Sequence, residues 1–257
     1  MGCEIDAITE DETYETCMEW RTDRGASRVV IPVNVTILMM MRRMPELREA
    51  AALGDLVLAD GLPLVWASRL VGTRLPERVN GCDLMARMLA DGGDRGLRVF
   101  FLGATEEVVT RLVELTQDRH PGVEVAGYRN GYFSEEDYPD VIRQVRESMA
   151  DVLFVGISSP FKEVWSCRFR AELSVPVTLC VGGSFDVLAG FVRRAPRWVQ
   201  NAGMEWFWRL SQEPRRLWKR YLVNNSLFVW LLAKQVVLGP WDRKGDRRGG
   251  TQGPSRT

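Results

Sequence analysis

A carboxylate stands at the end of the apolar run Asp55–Ala59, where Asp60 is followed by Gly61. Such an aspartate can take the proton from a hydroxyl held within hydrogen-bond reach. It can equally cap a helix starting near Leu62. A second set of residues is cationic: Arg209, Arg216 and Arg220 are spaced so that one continuous helix would put them on one face, although Pro214 falls among them. The forked donors of arginine match phosphate oxygens, and the same residues could face solvent or lipid headgroups. A third feature is the Gly182-Gly183 turn, with Phe185 and Asp186 just beyond it. Backbone N–H groups of a glycine turn at a helix start suit a phosphate or sugar oxygen, while a plain connection would use the same residues.

Other chemistries find no support. The five cysteines are scattered and never spaced as CxxC, and no acidic pair of the DxD kind follows an apolar run, so neither a metal site nor a cofactor is expected. The lone histidine, His120, precedes Pro121 at a helix end and is expected only to complement the helix dipole. Thirty-four basic residues balance thirty-four acidic ones, which gives no reason to expect a nucleic-acid partner. The opening MGCEIDAITEDETYE has neither the basic nor the apolar region of a secretory signal, so export is not expected.

These residues need a frame to bring them together. Strand-like runs at Val29–Val33, Asp55–Ala59, Arg98–Leu102, Val123–Gly127, Val152–Gly156 and Val175–Val181 alternate with helical patterns. Thr105-Glu106-Glu107 and Ser134-Glu135-Glu136-Asp137 read as helix starts, a hydroxyl cap followed by acids. The alternation predicts an α/β fold, a mainly parallel Rossmann-like sheet with helices on both faces. Ligands of such sheets lie beyond the carboxyl ends of the strands. The residues there are Asn34, Asp60-Gly61, Gly103, Asn130-Gly131-Tyr132-Phe133, Ser158-Ser159-Pro160 and Gly182 to Asp186. Gly103 and Tyr132 could line this edge, or serve as a tight turn and a core aromatic. Four regions follow: a polar, aperiodic segment 1–27, a core 28–190, a basic and aromatic appendage 191–241, and a Gly-rich charged tail 242–257 expected to be disordered.

Several phrases in this order carry a resemblance: LADGLPLVWASRLVG with RVNGCDLM, then VFFLGAT, GYRNGYF, DVLFVGISSPFKEVW, and VGGSFDVLAGFVRRAPRWVQNAGMEWFWRLSQEPRRLWKRYL. Together, over roughly residues 29–224, they resemble the WecG/TagA/CpsF family of bacterial glycosyltransferases. The resemblance implies metal-independent transfer with inversion from a UDP-sugar to a polyprenyl-diphosphate-linked glycan acceptor in cell-envelope or exopolysaccharide assembly. It places Asp60 at the family's proposed catalytic base and Arg78 at an active-site arginine. It makes Arg209, Arg216 and Arg220 candidates for neutralising the departing diphosphate, with Asn34, Gly103, Tyr132, Lys162, Gly182, Gly183, Phe185 and Asp186 as donor-site candidates. Two positions depart from the family pattern, Pro32 for a threonine and Lys162 for a glutamine. Lys162 is expected either to contact an anionic group, a donor carboxylate or a phosphate, or to point to solvent.

The appendage sets Arg215, Arg216, Lys219 and Arg220 among Trp206, Trp208, Trp218 and Tyr221, then runs into Leu227–Ala233. That apolar run is far short of the ~20 residues needed to span a bilayer. It suits a helix lying in the membrane interface, which predicts peripheral association with the cytoplasmic face of the bacterial inner membrane. The competing expectation is a helix packed on the core or on a second copy in a homo-oligomer. Other activities on UDP-sugars, such as hydrolysis, and a non-catalytic nucleotide-sugar-binding scaffold are the alternatives.

Overall fold

A computed structural model describes residues 3–238, excepting the side chains of residues 216, 217 and 220. The tail expected at 242–257 lies outside the described residues. The polar N-terminal segment is not aperiodic. It forms α1 (Glu10–Trp20), closed by a Thr9–Glu12 capping box. Tyr14, Cys17 and Met18, at helical spacing, form a narrow apolar face that is buried in the core. Three apolar side chains in a charged stretch are a weak periodic signal, which is why the sequence reading missed them.

Six parallel strands follow: β1 (Arg28–Val33), β2 (Leu56–Ala59), β3 (Arg98–Gly103), β4 (Glu124–Arg129), β5 (Val152–Gly156) and β6 (Val177–Cys180). Their order in the sheet is β2-β1-β6-β5-β3-β4. The short helices α2 (Val35–Met41) and α3 (Pro45–Leu53) link β1 to β2, and α4 (Leu62–Leu70) and α5 (Gly81–Gly92) carry the chain to β3. The later crossovers are α6 (Glu106–Arg119), α7 (Tyr138–Glu147) and α8 (Phe161–Leu173). After β6 come α9 (Ser184–Leu188), α10 (Arg197–Asn201), α11 (Glu205–Gln212) and α12 (Pro214–Leu238).

Alternation along the strands sends side chains to both faces. Val30, Leu56, Leu58, Phe101 and Phe154 pack with α1, α5, α6 and α9, while Val29, Ile31, Val33, Val57 and Ala59 pack with α2, α3 and α4. Phe100, Leu102, Leu153 and Val155 pack against the helices α7 and α8. β4 closes one edge and is only partly covered.

The register aligns the carboxyl ends, pairing Val33 with Ala59, Gly103 with Gly156, and Val155 with Cys180. Gly103 has φ +145, and a Cβ there would stand 2.4 Å from the Gly156 carbonyl carbon. Only glycine fits where these two strands end against each other. Pro32 sits in β1, a central strand, yet the β1–β6 ladder runs only from Arg28 to Val30 and has ended before it. Its missing N–H therefore takes nothing from the sheet.

The appendage packs on the core. Along α12, Asn224 and Phe228 are buried, and Leu227, Leu231 and Leu232 lie against the cluster that includes α2. Leu222, Val229, Trp230 and Val237 remain exposed. Among the described residues, no helix is long and apolar enough to cross a membrane.

Candidate active site

The chain turns sharply after β2. Asp60 N–H donates to the Val33 carbonyl at 2.8 Å, and Gly61, with φ +149, starts α4 without any side-chain cap. The carboxylate of Asp60 is therefore not spent on capping. It receives a hydrogen bond from Asn80 Nδ2 at 2.5 Å. Asn80 is held in turn by the helix it caps: its Oδ1 accepts from the N–H groups of Cys82 at 2.9 Å and Asp83 at 3.2 Å. The Val79 N–H donates to the Ala59 carbonyl at 3.0 Å, which draws the Arg78-Val79-Asn80 segment alongside Asp60. Asn34, after the neighbouring strand, caps α2 by accepting from the Ile37 N–H at 3.1 Å.

Helix α11 lies over this end of the sheet. Glu205 Oε2 receives Arg78 Nη1 at 2.5 Å, and Arg78 Nη2 also reaches Asp83 Oδ2 at 3.2 Å and Gln200 Oε1 at 3.3 Å. Arg194 pairs with Asp83. Arg209, one turn beyond Glu205, points Nη2 at the Gly183 carbonyl at 3.5 Å. The loop before α11 rests on the core through Gly203, whose φ is +68 and where a Cβ would stand 2.8 Å from Trp66 Cη2. The result is a charged cluster at the carboxyl ends of β2 and β6, in which Asp60 stands near the Glu205 carboxylate and the guanidinium groups of Arg78 and Arg209.

Burial raises the pKa of Asp60 from 3.8 to about 6, and the nearby Glu205 carboxylate adds to the shift. Arg78, Arg209 and the Asn80 hydrogen bond oppose it. Asp60 thus titrates close to neutrality, where a carboxylate is a stronger base than in water and still largely ionised.

The other candidates fall in different places. Gly182, with φ +57, and Gly183 form the turn after β6 that Arg209 approaches, and Asp186 lies close to Gly183. Phe185 does not face this turn. Its side chain is fully buried, packed edge-on to Phe101 and filling the space that Gly156 leaves, so it serves the core and not the ligand contact expected for it. Lys162 is also buried, at 4 % exposure, and does not point to solvent. Its ammonium donates to Ser159 Oγ at 2.6 Å and pairs with Glu163, a carboxylate with no exposed surface. The anion it meets belongs to its own chain. Tyr132 is 76 % exposed and, with Gly103, lies toward the β4 edge. With strands about 4.8 Å apart, β4 stands roughly 24 Å across the sheet from β2. Arg209 and Arg216 do not share a helix, because Glu213 breaks the chain before Pro214 starts α12. The side chains of Arg216 and Arg220 lie outside those described. Asn80, Asp83, Gln200 and Glu205 were absent from the sequence-based set. Only Asn80, an Asn-Gly before an amphipathic stretch, carried a local signal, that of a helix cap.

The sequence matches the WecG/TagA/CpsF glycosyl transferase family over residues 1–241. The chain is a member of that family. Two relatives are each 32% identical over 200 residues, covering 78% of this chain and 77% of the relative. They are the N-acetylglucosaminyldiphosphoundecaprenol N-acetyl-beta-D-mannosaminyltransferases of Bacillus spizizenii strain W23 and Bacillus subtilis strain 168. In this member of the family, Asp60, Arg78, Arg209, Gly182 and Gly183 gather at the β2 and β6 ends of the sheet, beside α11. Among the described residues, no group of three or more His, Cys, Asp or Glu side chains is arranged to hold a metal ion.

Proposed function

We propose that the chain transfers a sugar, with inversion, from a UDP-sugar to a hydroxyl of a polyprenyl-diphosphate-linked glycan. The observation that carries this reading is that Arg78, paired with Glu205, and Arg209, at the Gly183 carbonyl, stand close enough to act electrostatically on Asp60, a buried carboxylate whose pKa is raised to about 6. The acceptor oxygen attacks the anomeric carbon, the bond from that carbon to the diphosphate oxygen breaks, and the acceptor proton passes to Asp60. UDP leaves with the bonding electron pair, and fixed cations take up the charge that develops on it. Arg78 and Arg209 supply that charge in this reading. Arg216 and Arg220 join them by family resemblance alone.

The acceptor reading draws on the two relatives, whose names give a diphosphoundecaprenol-linked N-acetylglucosamine as acceptor. A lipid-linked acceptor requires the protein to meet a membrane. Trp198, Phe207, Trp218, Leu222, Val229 and Trp230 expose aromatic and aliphatic surface along α10 to α12, which supports peripheral docking on a membrane surface. Purified protein would be given UDP-N-acetylmannosamine, UDP-glucose or UDP-glucuronate with and without a lipid-diphosphate-linked N-acetylglucosamine. UDP release that depends on the acceptor, with a matching mass gain on the lipid, supports transfer. UDP release regardless of acceptor would identify a hydrolase instead.

A further inference from the structure

Both Nη groups of Arg78 are engaged, by partners from α5, α10 and α11. Its Nη1 holds Glu205, and its Nη2 is shared between Asp83 and Gln200. Glu205 therefore occupies the position at which an anion bound by Arg78 would sit. The pair is not sealed: 16 % of the Arg78 side chain and 29 % of the Glu205 side chain remain exposed, so a ligand can reach it. The charges around Glu205 come from Arg78 and Asp60 on the core, Arg209 on its own helix, and Arg194 on the segment leading to α10. A diphosphate entering here would meet two carboxylates, Asp60 and Glu205, and would compete with Glu205 for the Arg78 guanidinium. Asp60 is held by Asn80, whereas Glu205 is the first residue of α11 in the appendage and is held there by Arg78.

We infer that Glu205 is an anion placeholder: its pair with Arg78 competes with the donor's diphosphate for the guanidinium, so that diphosphate binding displaces the Glu205–Arg78 contact. This inference rests on the UDP-sugar reading above. A ligand that must first break an internal pair binds more weakly by the fraction of molecules in which the pair is open. Removing the Glu205 charge should therefore tighten nucleotide binding, whereas a residue that merely builds the site would weaken it when changed.

The test is calorimetric titration of the full chain with UDP and with inorganic diphosphate, comparing wild type, Glu205→Gln, Glu205→Asp, Arg78→Ala and the Glu205→Gln/Arg78→Ala double variant. Glu205→Gln should bind both ligands about fivefold more tightly, the effect expected for a partly exposed ion pair. The shorter Glu205→Asp should gain less, and the gain should vanish when Arg78 is alanine. Glu205→Asp also carries the test should Glu205→Gln fail to fold by its melting curve. Unchanged or weaker binding by a folded variant overturns the inference alone, as does a gain that survives in the Arg78→Ala background. If the wild-type chain binds neither ligand, the UDP reading falls and this inference falls with it.

Discussion

Asn80 reads two structures at once: its Oδ1 caps α5 through the N–H groups of Cys82 and Asp83, and its Nδ2 donates to Asp60 at 2.5 Å. Because the cap occupies the oxygen, only the amide nitrogen can face the carboxylate. The orientation of the proposed base is set by a helix terminus.

Asn80→Asp should separate these two tasks. Aspartate caps as well as asparagine does, so α5 should keep its cap, and the stability lost at pH 7 should come from the two adjoining carboxylates and return on acidification. It would place a second carboxylate against Asp60, raise the Asp60 pKa further and cut transfer at pH 7 by about tenfold or more. Asn80→Ala should instead cost about 1 kcal/mol of stability in chemical denaturation as well as activity.

Transfer should rise with pH through about 6, where Asp60 loses its proton, and level off above it. The sign for stability is opposite. A carboxyl whose pKa is higher folded than unfolded binds more protons in the folded state between 3.8 and about 6, so its contribution falls as pH rises through that window. Asp60→Asn should abolish transfer and raise stability at pH 7 by about 1–3 kcal/mol, with the gain disappearing near pH 4. Paired denaturation curves at pH 4 and pH 7 would show it. A loss of stability at pH 7 would contradict this environment for Asp60.

Lys162→Met should leave the buried Glu163 carboxylate without its countercharge and destabilise the fold by about 3–5 kcal/mol. The double variant Lys162→Met/Glu163→Gln should recover most of that loss. Preference between a neutral and a carboxylate-bearing donor sugar should follow neither change. A donor preference that shifts with Lys162 would return this residue to the donor site.

Deleting residues 191–257 should abolish transfer and leave a folded but less soluble core, since α12 covers the apolar outer face of α2. Phe228→Ala should loosen that docking by about 3 kcal/mol. Limited proteolysis would report it as faster cleavage within α12, with the β1–β6 core intact.

Most of the sheet was legible because parallel strands buried on both faces leave continuous apolar runs bounded by Gly, Asp and Asn. Asp60 was legible for the same reason, being the first charge after such a run. What failed was anything that depended on how side chains pack in three dimensions. Phe185 follows a glycine turn and reads as exposed, but Gly156 of a different strand makes room for its ring inside the core. Lys162 reads as a cation that meets either an anionic ligand or solvent, while its partner is the adjacent Glu163, drawn inward on the first turn of α8. Glu205 has no local signature, since its meaning comes from Arg78, 127 residues earlier in the chain.

That separation has a consequence for the newly made protein. At synthesis rates of about 5–20 residues per second, the last strand of the sheet leaves the ribosome a few seconds before Glu205 and Arg209 do. During that interval Asp60 and Asn80 can already be in place while the groups that bracket them from α11 do not yet exist. A nascent chain thus carries Asp60, Asn80 and Arg78 without Arg209 and without the carboxylate that pairs with Arg78, and it gains the complete cluster only once α11 has emerged.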